Sequence, residues 1–310
     1  MREIKGIDNF SSECPTIVTI GTFDGVHKGH QKILKKLTSE AKKYNLKSVV
    51  LTFFPHPRTV LNPKFPLKLI NTIEERIELV SKSNVDFIII HPFDKSFSDL
   101  HPEEFVKSLL VKKLNIKKIL IGYDHRFGKD RKAGIKDLEL FGSKYNFDVL
   151  EIGVKEVNNI SISSTKIRNS IIEGDFNKVY SFLGYDLMIS GKVIKGNAIG
   201  RTIGFPTANL KIDNDYKLTP KNGVYLITAI LDKKKYYGMM NIGIKPTLNK
   251  KKQSIEVNFF ELKKDLYGKI ITVFMLQFIR NEIKFNSLED LKNQIRIDKK
   301  TCETLINKVN

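Results

Sequence analysis

The chain has 310 residues, 41% of them hydrophobic and 28% charged, with a formal net charge of +19 at pH 7. That length allows two domains with a core each, and the composition fits a globular protein rather than a disordered or fibrous one. No run reaches the roughly 20 apolar residues of a membrane helix, "MREIKGIDNFSSE" has no apolar signal core, and Cys14 and Cys302 are too few for a disulfide framework or a cysteine metal site.

A reducing, cytoplasmic setting is therefore expected. The positive charge is mostly lysine in short scattered runs, as at residues 233–235 and 250–252. Base reading and base stacking need arginines or interleaved aromatics, and no such cluster is present in the sequence. Nucleic acid is not expected as a partner, and anionic phosphate substrates account for part of the charge. The sequence leaves an oligomer open.

In chain order, the first clear element is the apolar run "PTIVTI", followed at once by "GTFDGVHKGH" at residues 21–30. Gly21, Gly25 and Gly29 mark a turn where the backbone must come close to something. His27 and His30 are three apart, so one helical turn puts them on the same side. The amphipathic "HQKILKKLTSEAKKY" opens there, and a helix N-terminus offers free N–H groups and positive partial charge. Strand, glycine turn and helix start together predict a phosphate cradle. The stretch is neither a P-loop nor GxGxxG.

Further apolar runs, "SVVLTFF", "VDFIIIHPF" and "KKILIGYD", read as strands buried on both faces. Between them lie the helical patterns "IEERIELVSKS" and "HPEEFVKSLLVKKL", the second with Ser98 or Asp99 as its expected cap and Pro102 in its first turn. This alternation predicts a doubly wound α/β domain on a parallel sheet, with ligands beyond the C-terminal strand ends. "GTFDGVHKGH" and "GYDHRFGKDRKAG" both fall there.

After "YSFLGYD" the pattern changes. "LMISGKVIKG", "TANLKI", "GVYLITAILD", "YYGMMNIG", "SIEVNFF" and "KIITVFMLQFI" are strands separated by short turns, and one long helix follows. These predict a small antiparallel β-barrel with a C-terminal helix, and domains at 1–184 and 185–310. "GKVIKGNAIGRTIGFPTANL" sets Gly196, Gly200 and Gly204 around Arg201 and ends in "PTAN". Thr207 and Asn209 are two apart, so on an extended segment they face one side, where a hydroxyl and an amide oxygen could hold Mg²⁺. In "SIEVNFFEL", Glu256 interrupts an apolar alternation, a costly position unless it is paired, exposed or working. All six histidines lie in the first 125 residues, so a base in the second domain would be a carboxylate, and Glu256 is the candidate.

Taken together, the chain resembles the bifunctional bacterial riboflavin kinase/FAD synthetase family. "GTFDGVHKGH" is similar to the GxFDGxHxGH signature of nucleotidyltransferases, "GYDHRFG" to the GxDFxFG segment of FAD synthetases, and "ISSTKIR" to their SSTxIR motif. "GRTIGFPTAN", "GVY", "NIGIKPT" and "DLYGK" resemble successive landmarks of the riboflavin kinase barrel. The resemblance implies that the barrel phosphorylates riboflavin to FMN with ATP, and that the first domain transfers AMP from ATP to FMN, giving FAD and pyrophosphate. It implies His27 and His30 at the α-phosphate, with Gly21, Phe23, Asp24, Gly25, Gly29, Asp124, Phe127 and Gly128 around ATP or flavin. Ser163, Ser164, Thr165 and Arg168 would hold the leaving pyrophosphate. In the kinase it implies Gly196, Gly200, Arg201, Gly204, Pro206 and Asn241 at the nucleotide or flavin, Thr207 and Asn209 on Mg²⁺, Glu256 as base, and Arg280 on the isoalloxazine or phosphate side. The chain departs from the family pattern at His125, where Phe is usual, at Asn258, where many members have His, and at Phe54, where an acid is common. Rival expectations are a cytidylyltransferase, which has no use for a second phosphate-binding domain, and a flavin- or RNA-binding regulator derived from a synthetase.

Overall fold

A computed structural model describes residues 1–122, 125–153, 162–196, 199–246, 251–262 and 264–309. It has two compact units, Met1–Ser164 and Thr165–Asn310.

The first unit is a six-stranded parallel sheet: β1 (Arg2–Lys5), β2 (Thr16–Ile20), β3 (Lys47–Phe53), β4 (Phe87–His91), β5 (Ile116–Gly122) and β6 (Asp148–Ile152). The strand order is β1-β4-β3-β2-β5-β6. β2 and most of β3 are wholly buried, as apolar strands covered on both faces must be. Chain order reverses between β2 and its neighbours β3 and β5, which leaves a crevice at the carboxyl end of β2. The edge strand β1 is mostly exposed and β6 partly so, and both lack the apolar runs that marked the four central strands.

Among the helices of this unit, α1 (Lys28–Lys43) presents Leu34, Leu37 and Ala41 to the sheet. α2 (Ile73–Ser81) opens with a capping box in which Thr72 and Glu75 satisfy each other's backbone N–H groups. The helical stretch expected to be capped by Ser98 or Asp99 is divided instead. Asp94 caps a separate turn, Lys95–Ser98, through the N–H of Phe97, and Asp99 ends that turn. Pro102, which has no N–H to satisfy, starts the next segment. That segment widens into a π-helix over Phe105–Lys113, and the Leu114 N–H reaches the Leu109 carbonyl. α3 (Ile135–Tyr145) completes the layer.

The second unit begins with α4 (Ser164–Glu173), most of which belongs to it, and α5 (Phe176–Leu183). Its six strands are β7 (Leu187–Ile194), β8 (Ala208–Lys211), β9 (Gly223–Leu231), β10 (Lys234–Pro246), β11 (Lys251–Phe259) and β12 (Ile270–Arg280). They close an antiparallel barrel in the order β10-β11-β8-β7-β12-β9. Phe176 of α5 sits edge-on to Tyr225, ring centroids 5.5 Å apart. This unit therefore starts ahead of the boundary expected at residues 184–185. The C-terminal α6 (Leu288–Val309) covers one outer face of the barrel, where Cys302 joins a buried cluster with Val224, Leu226 and Met239.

Candidate active sites

In the first unit, the turn after β2 holds its backbone in conformations that L residues rarely adopt: φ is 49° at Phe23, 85° at Gly25 and 31° at Val26. Asp24 fixes that shape from inside. It is fully buried, and its Oδ1 accepts the N–H of Ile70 at 2.9 Å and of Asn71 at 3.3 Å. Its carbonyl accepts the Ser164 hydroxyl at 2.9 Å, which brings two separate motifs of the sequence together. Asp24 thus anchors the turn, and the surfaces offered to a ligand are those of its neighbours.

His27 is the N-cap of α1, its Nδ1 accepting the His30 N–H at 3.4 Å, and Gly29 is buried beneath the same first turn. The two imidazoles stack with centroids 3.7 Å apart, and Phe23 lies 5.1 Å from His30 on its other side. Burial lowers the His27 pKa to about 4 against a partial rise from Asp24. His30 is held well below the usual histidine value by burial, then by His27 and by Arg76. Its Nδ1 is buried with no hydrogen-bond partner among the described residues. Both rings are therefore neutral at pH 7, so they offer N–H groups rather than fixed positive charge.

A cleft of about 740 Å³ opens at the carboxyl ends of β2, β3 and β5, lined by Gly21, Phe23 and His30 on one side and Phe127 and Gly128 on another. A Cβ at Gly21 would stand 3.1 Å from the Phe23 ring, and one at Gly128 would stand 2.6 Å from Pro102. The cleft has an aromatic wall. Phe53, Phe93 and Phe97 meet at centroid distances of 5.4–5.6 Å, and Phe105 leads on to Phe127 at 5.7 Å. Arg58, Lys95, Arg126 and Arg131 supply cations along the same lining. His125, one of the departures, also lines it, with its ring nearly parallel to Phe127 at 6.1 Å. Asp124 lies outside the described residues.

Ser163 immediately precedes α4, and Ser164, Thr165 and Arg168 lie on its first two turns. Arg76 escaped the sequence reading. It is fully buried, its Nη1 is 3.4 Å from the Thr52 hydroxyl, and it acts electrostatically on His30. An arginine in "IEERIELVSKS" looks like the solvated side of an amphipathic helix, so only the tertiary structure exposes its role.

In the barrel, strand register assembles the second site. Asn209 of β8 pairs with Glu256 of β11, Glu256 with Asn241 of β10, Asn241 with Val224 of β9, and Val224 with Arg280 of β12. Residues directly opposite on neighbouring strands share a face. The row Asn209–Glu256–Asn241–Val224–Arg280 therefore crosses five strands on one face. Val224 and Leu226 pack with Cys302, so this is the outer face on which α6 lies.

The glycine-rich segment closes over one end of the row. A Cβ at Gly196 would stand 2.2 Å from the Asn209 amide, and one at Gly200 would stand 2.2 Å from the Phe205 carbonyl. The Phe205 N–H donates to the Gly200 carbonyl at 2.7 Å, Gly204 has φ 84°, and Arg201 and Pro206 are exposed at the rim. Thr207 is half-buried and turns its methyl toward Gly200. At the other end, the Arg280 guanidinium donates to both carboxylate oxygens of Asp298 on α6, at 2.8 and 2.7 Å. That partnership ties the helix to the barrel. Glu282, two residues on, reaches the space above Gly243 beside the Asn241 amide, where a Cβ would be 2.2 Å from its Oε1 and 3.2 Å from the Asn241 Nδ2. It is a second carboxylate at the row, and "FIRNEIKF" gave no periodic signal for it.

An α/β unit with an imidazole pair at a helix N-terminus, joined to a barrel with a glycine-closed polar row, defines a two-site phosphate-transfer protein. The family models agree: FAD synthetase matches residues 9–166 and riboflavin kinase matches residues 183–306. The chain belongs to the bifunctional riboflavin kinase/FMN adenylyltransferase family. It is 42% identical over 303 residues to the Buchnera aphidicola (Schizaphis graminum) protein of that description, covering 96% of each chain. To the Escherichia coli K12 protein of the same description it is 37% identical, covering 97% of each. A solved structure titled as a macrolide-efflux protein from Streptococcus pneumoniae superposes with a TM-score of 0.87 at 33% identity, covering 97% of this chain and 98% of that one. In the present chain, no helix among the described residues is long and apolar enough to cross a membrane.

Proposed function

We propose that the chain makes FMN from riboflavin at the barrel and FAD from FMN in the α/β unit, spending one ATP at each site. What carries this reading is the presence in one chain of two separate polar sites, each built on its own glycine-rich turn. One has the His27–His30 stack, and the other has the Asn209–Glu256–Asn241 row. The adenylyltransferase is assigned to residues 1–184 and the kinase to 185–310, with α5 bracing the barrel.

In the kinase, Glu256 accepts the proton of the riboflavin 5′-hydroxyl as that oxygen bonds to the γ-phosphorus of ATP and the bond to ADP breaks. Without a Cβ, Gly196 and Gly200 let the loop close onto the Asn209 amide and the Phe205 carbonyl, and the backbone so held at the end of the row is assigned to the nucleotide phosphates. The donor set fits Mg²⁺, which takes hard oxygen ligands and keeps several waters. Thr207 offers a hydroxyl and Asn209 an amide oxygen at the end of the row next to Glu256. Bound there, the ion would supply charge neutralisation at the ATP phosphates. Asn241 and Arg201 border the substrates, and Arg280 acts through Asp298 by holding α6 over the row.

In the adenylyltransferase the nucleophile is the FMN phosphate, already ionised, so no strong base is needed. Its oxygen bonds to the α-phosphorus of ATP, and the α–β bridge breaks to release pyrophosphate. The neutral rings of His27 and His30 suit hydrogen-bond donation to the α-phosphate, with the α1 N-terminus behind them. Ser163, Thr165 and Arg168 are assigned to pyrophosphate, and Ser164 to holding the Asp24 turn. The aromatic wall suits a planar ring system. The test is incubation of the purified chain with riboflavin, ATP and Mg²⁺, resolving the flavins by chromatography. FMN should appear first and FAD follow. Failure to form either product would overturn the reading.

A further inference from the structure

The β8–β11 ladder runs through Leu210–Ile255, Asn209–Glu256 and Ala208–Val257, and its register ends there. Thr207 and Asn258 would be the next pair. At that point a side chain takes over, because the Asn258 Nδ2 donates to the Pro206 carbonyl at 2.8 Å. Asn258 is only 7% exposed, although it shares its strand face with Glu256. A buried carboxamide needs partners, and the carbonyl it uses belongs to the residue before Thr207. The proline has no N–H of its own to donate, and the loop bond just ahead of it, from Phe205 to Gly200, closes within the loop.

We propose that Asn258 is a positioning residue for riboflavin phosphorylation, holding the Pro206–Thr207 segment in register with the Glu256 strand. The inference rests on the kinase reading of Thr207, Asn209 and Glu256. The residue touches neither reacting group. It sets the distance between the metal-binding hydroxyl and the carboxylate two residues before it on β11. Because one strand carries both Glu256 and the clamp, movement of the loop is movement against the base.

Asn258→Leu keeps the shape and removes the donor. Asn258→His restores a ring N–H at comparable reach. In the full chain, the Mg²⁺ concentration for half-maximal FMN formation should rise about 3- to 10-fold in Asn258→Leu, the loss expected for one hydrogen bond. It should return to within about twofold of wild type in Asn258→His. FMN adenylylation, at the other site, should be unchanged in both variants. A second readout is binding of Mn²⁺ in the presence of ADP, followed by the electron paramagnetic resonance signal of free Mn²⁺. Thr207→Ala/Asn209→Ala sets the level with the barrel site removed, and Asn258→Leu should fall between that level and wild type. A shift in melting temperature with unchanged Mg²⁺ and Mn²⁺ midpoints would make Asn258 a packing residue only and overturn the proposal. If the Thr207→Ala/Asn209→Ala variant itself binds Mn²⁺ like wild type, the metal reading beneath the proposal falls, and the proposal with it.

Discussion

Acidification should destabilise the first unit through His27, and the size of the effect follows from the ring's surroundings. Burial against His30 holds its pKa at about 4, with Asp24 opposing part of the drop, whereas an unfolded chain has 6.5. The unfolded chain thus takes up a proton near pH 6.5 that the folded chain refuses until about pH 4. The stabilisation is fully present above the unfolded value and is lost as pH falls toward the folded one. Each pH unit across that window is worth about 1.4 kcal/mol, so His27 alone should cost about 2.5 kcal/mol at pH 4.5. His27→Asn isolates the term, because asparagine caps a helix well but does not titrate. Urea unfolding of the full chain, followed by circular dichroism at pH 7.5 and 4.5, gives the comparison. Wild type should lose about 2.5 kcal/mol more than the variant between those two conditions. His30 is present in both proteins, so its own titration largely cancels. Equal pH dependence in the two proteins would refute the reasoning, since it would mean that the His27 ring is as hydrated folded as unfolded.

The remaining predictions concern the two sites and their separation. His30→Ala removes the donor assigned above to the α-phosphate and should slow FAD formation from FMN by about 100- to 1,000-fold, leaving riboflavin phosphorylation near normal; a parallel fall in both activities would sink the assignment of one site per unit. Glu256→Gln keeps size and hydrogen bonding but cannot take a proton, so FMN formation should drop by about 100- to 10,000-fold while added FMN still becomes FAD. Glu282→Gln, at the other carboxylate of the row, should have the smaller effect on the same assay; the reverse order would transfer the base to Glu282. Residues 185–310 should make FMN but no FAD. A fragment from 165 should be more stable by about 3–6 kcal/mol, because it keeps the buried side chains of Phe176 and Val179; equal denaturation midpoints would show that α5 does not brace the barrel.

Much of this protein was legible in its sequence because local periodicity and turn chemistry carry short-range information. Central strands such as "TIVTI" must be apolar throughout when helices cover both faces, and the glycine turn after it must be followed by a helix start. The stacking of His27 on His30 follows from their spacing of three, although the sequence did not show that His27 would be the cap itself. The change from alternating strands and helices to strands alone marked the barrel. The weak edge strands Arg2–Lys5 and Asp148–Ile152 escaped, since half-exposed strands carry little apolar signal.

Only the tertiary structure decided which polar side chains work together and which hold the fold. Asp24 looks like a ligand-binding acid in "GTFDGVHKGH", yet it spends its Oδ1 on two backbone N–H groups forty-odd residues away. The partnership of Arg280 with Asp298 depends on where α6 crosses the barrel, and nothing in either segment announces it. Asn209, Glu256 and Asn241 come from three strands, and their meeting rests on pairing register. A slip of one residue would turn every side chain of a strand to the opposite face. Register is set by packing on both faces of the closed barrel, an interaction among all six strands that no single stretch of sequence contains.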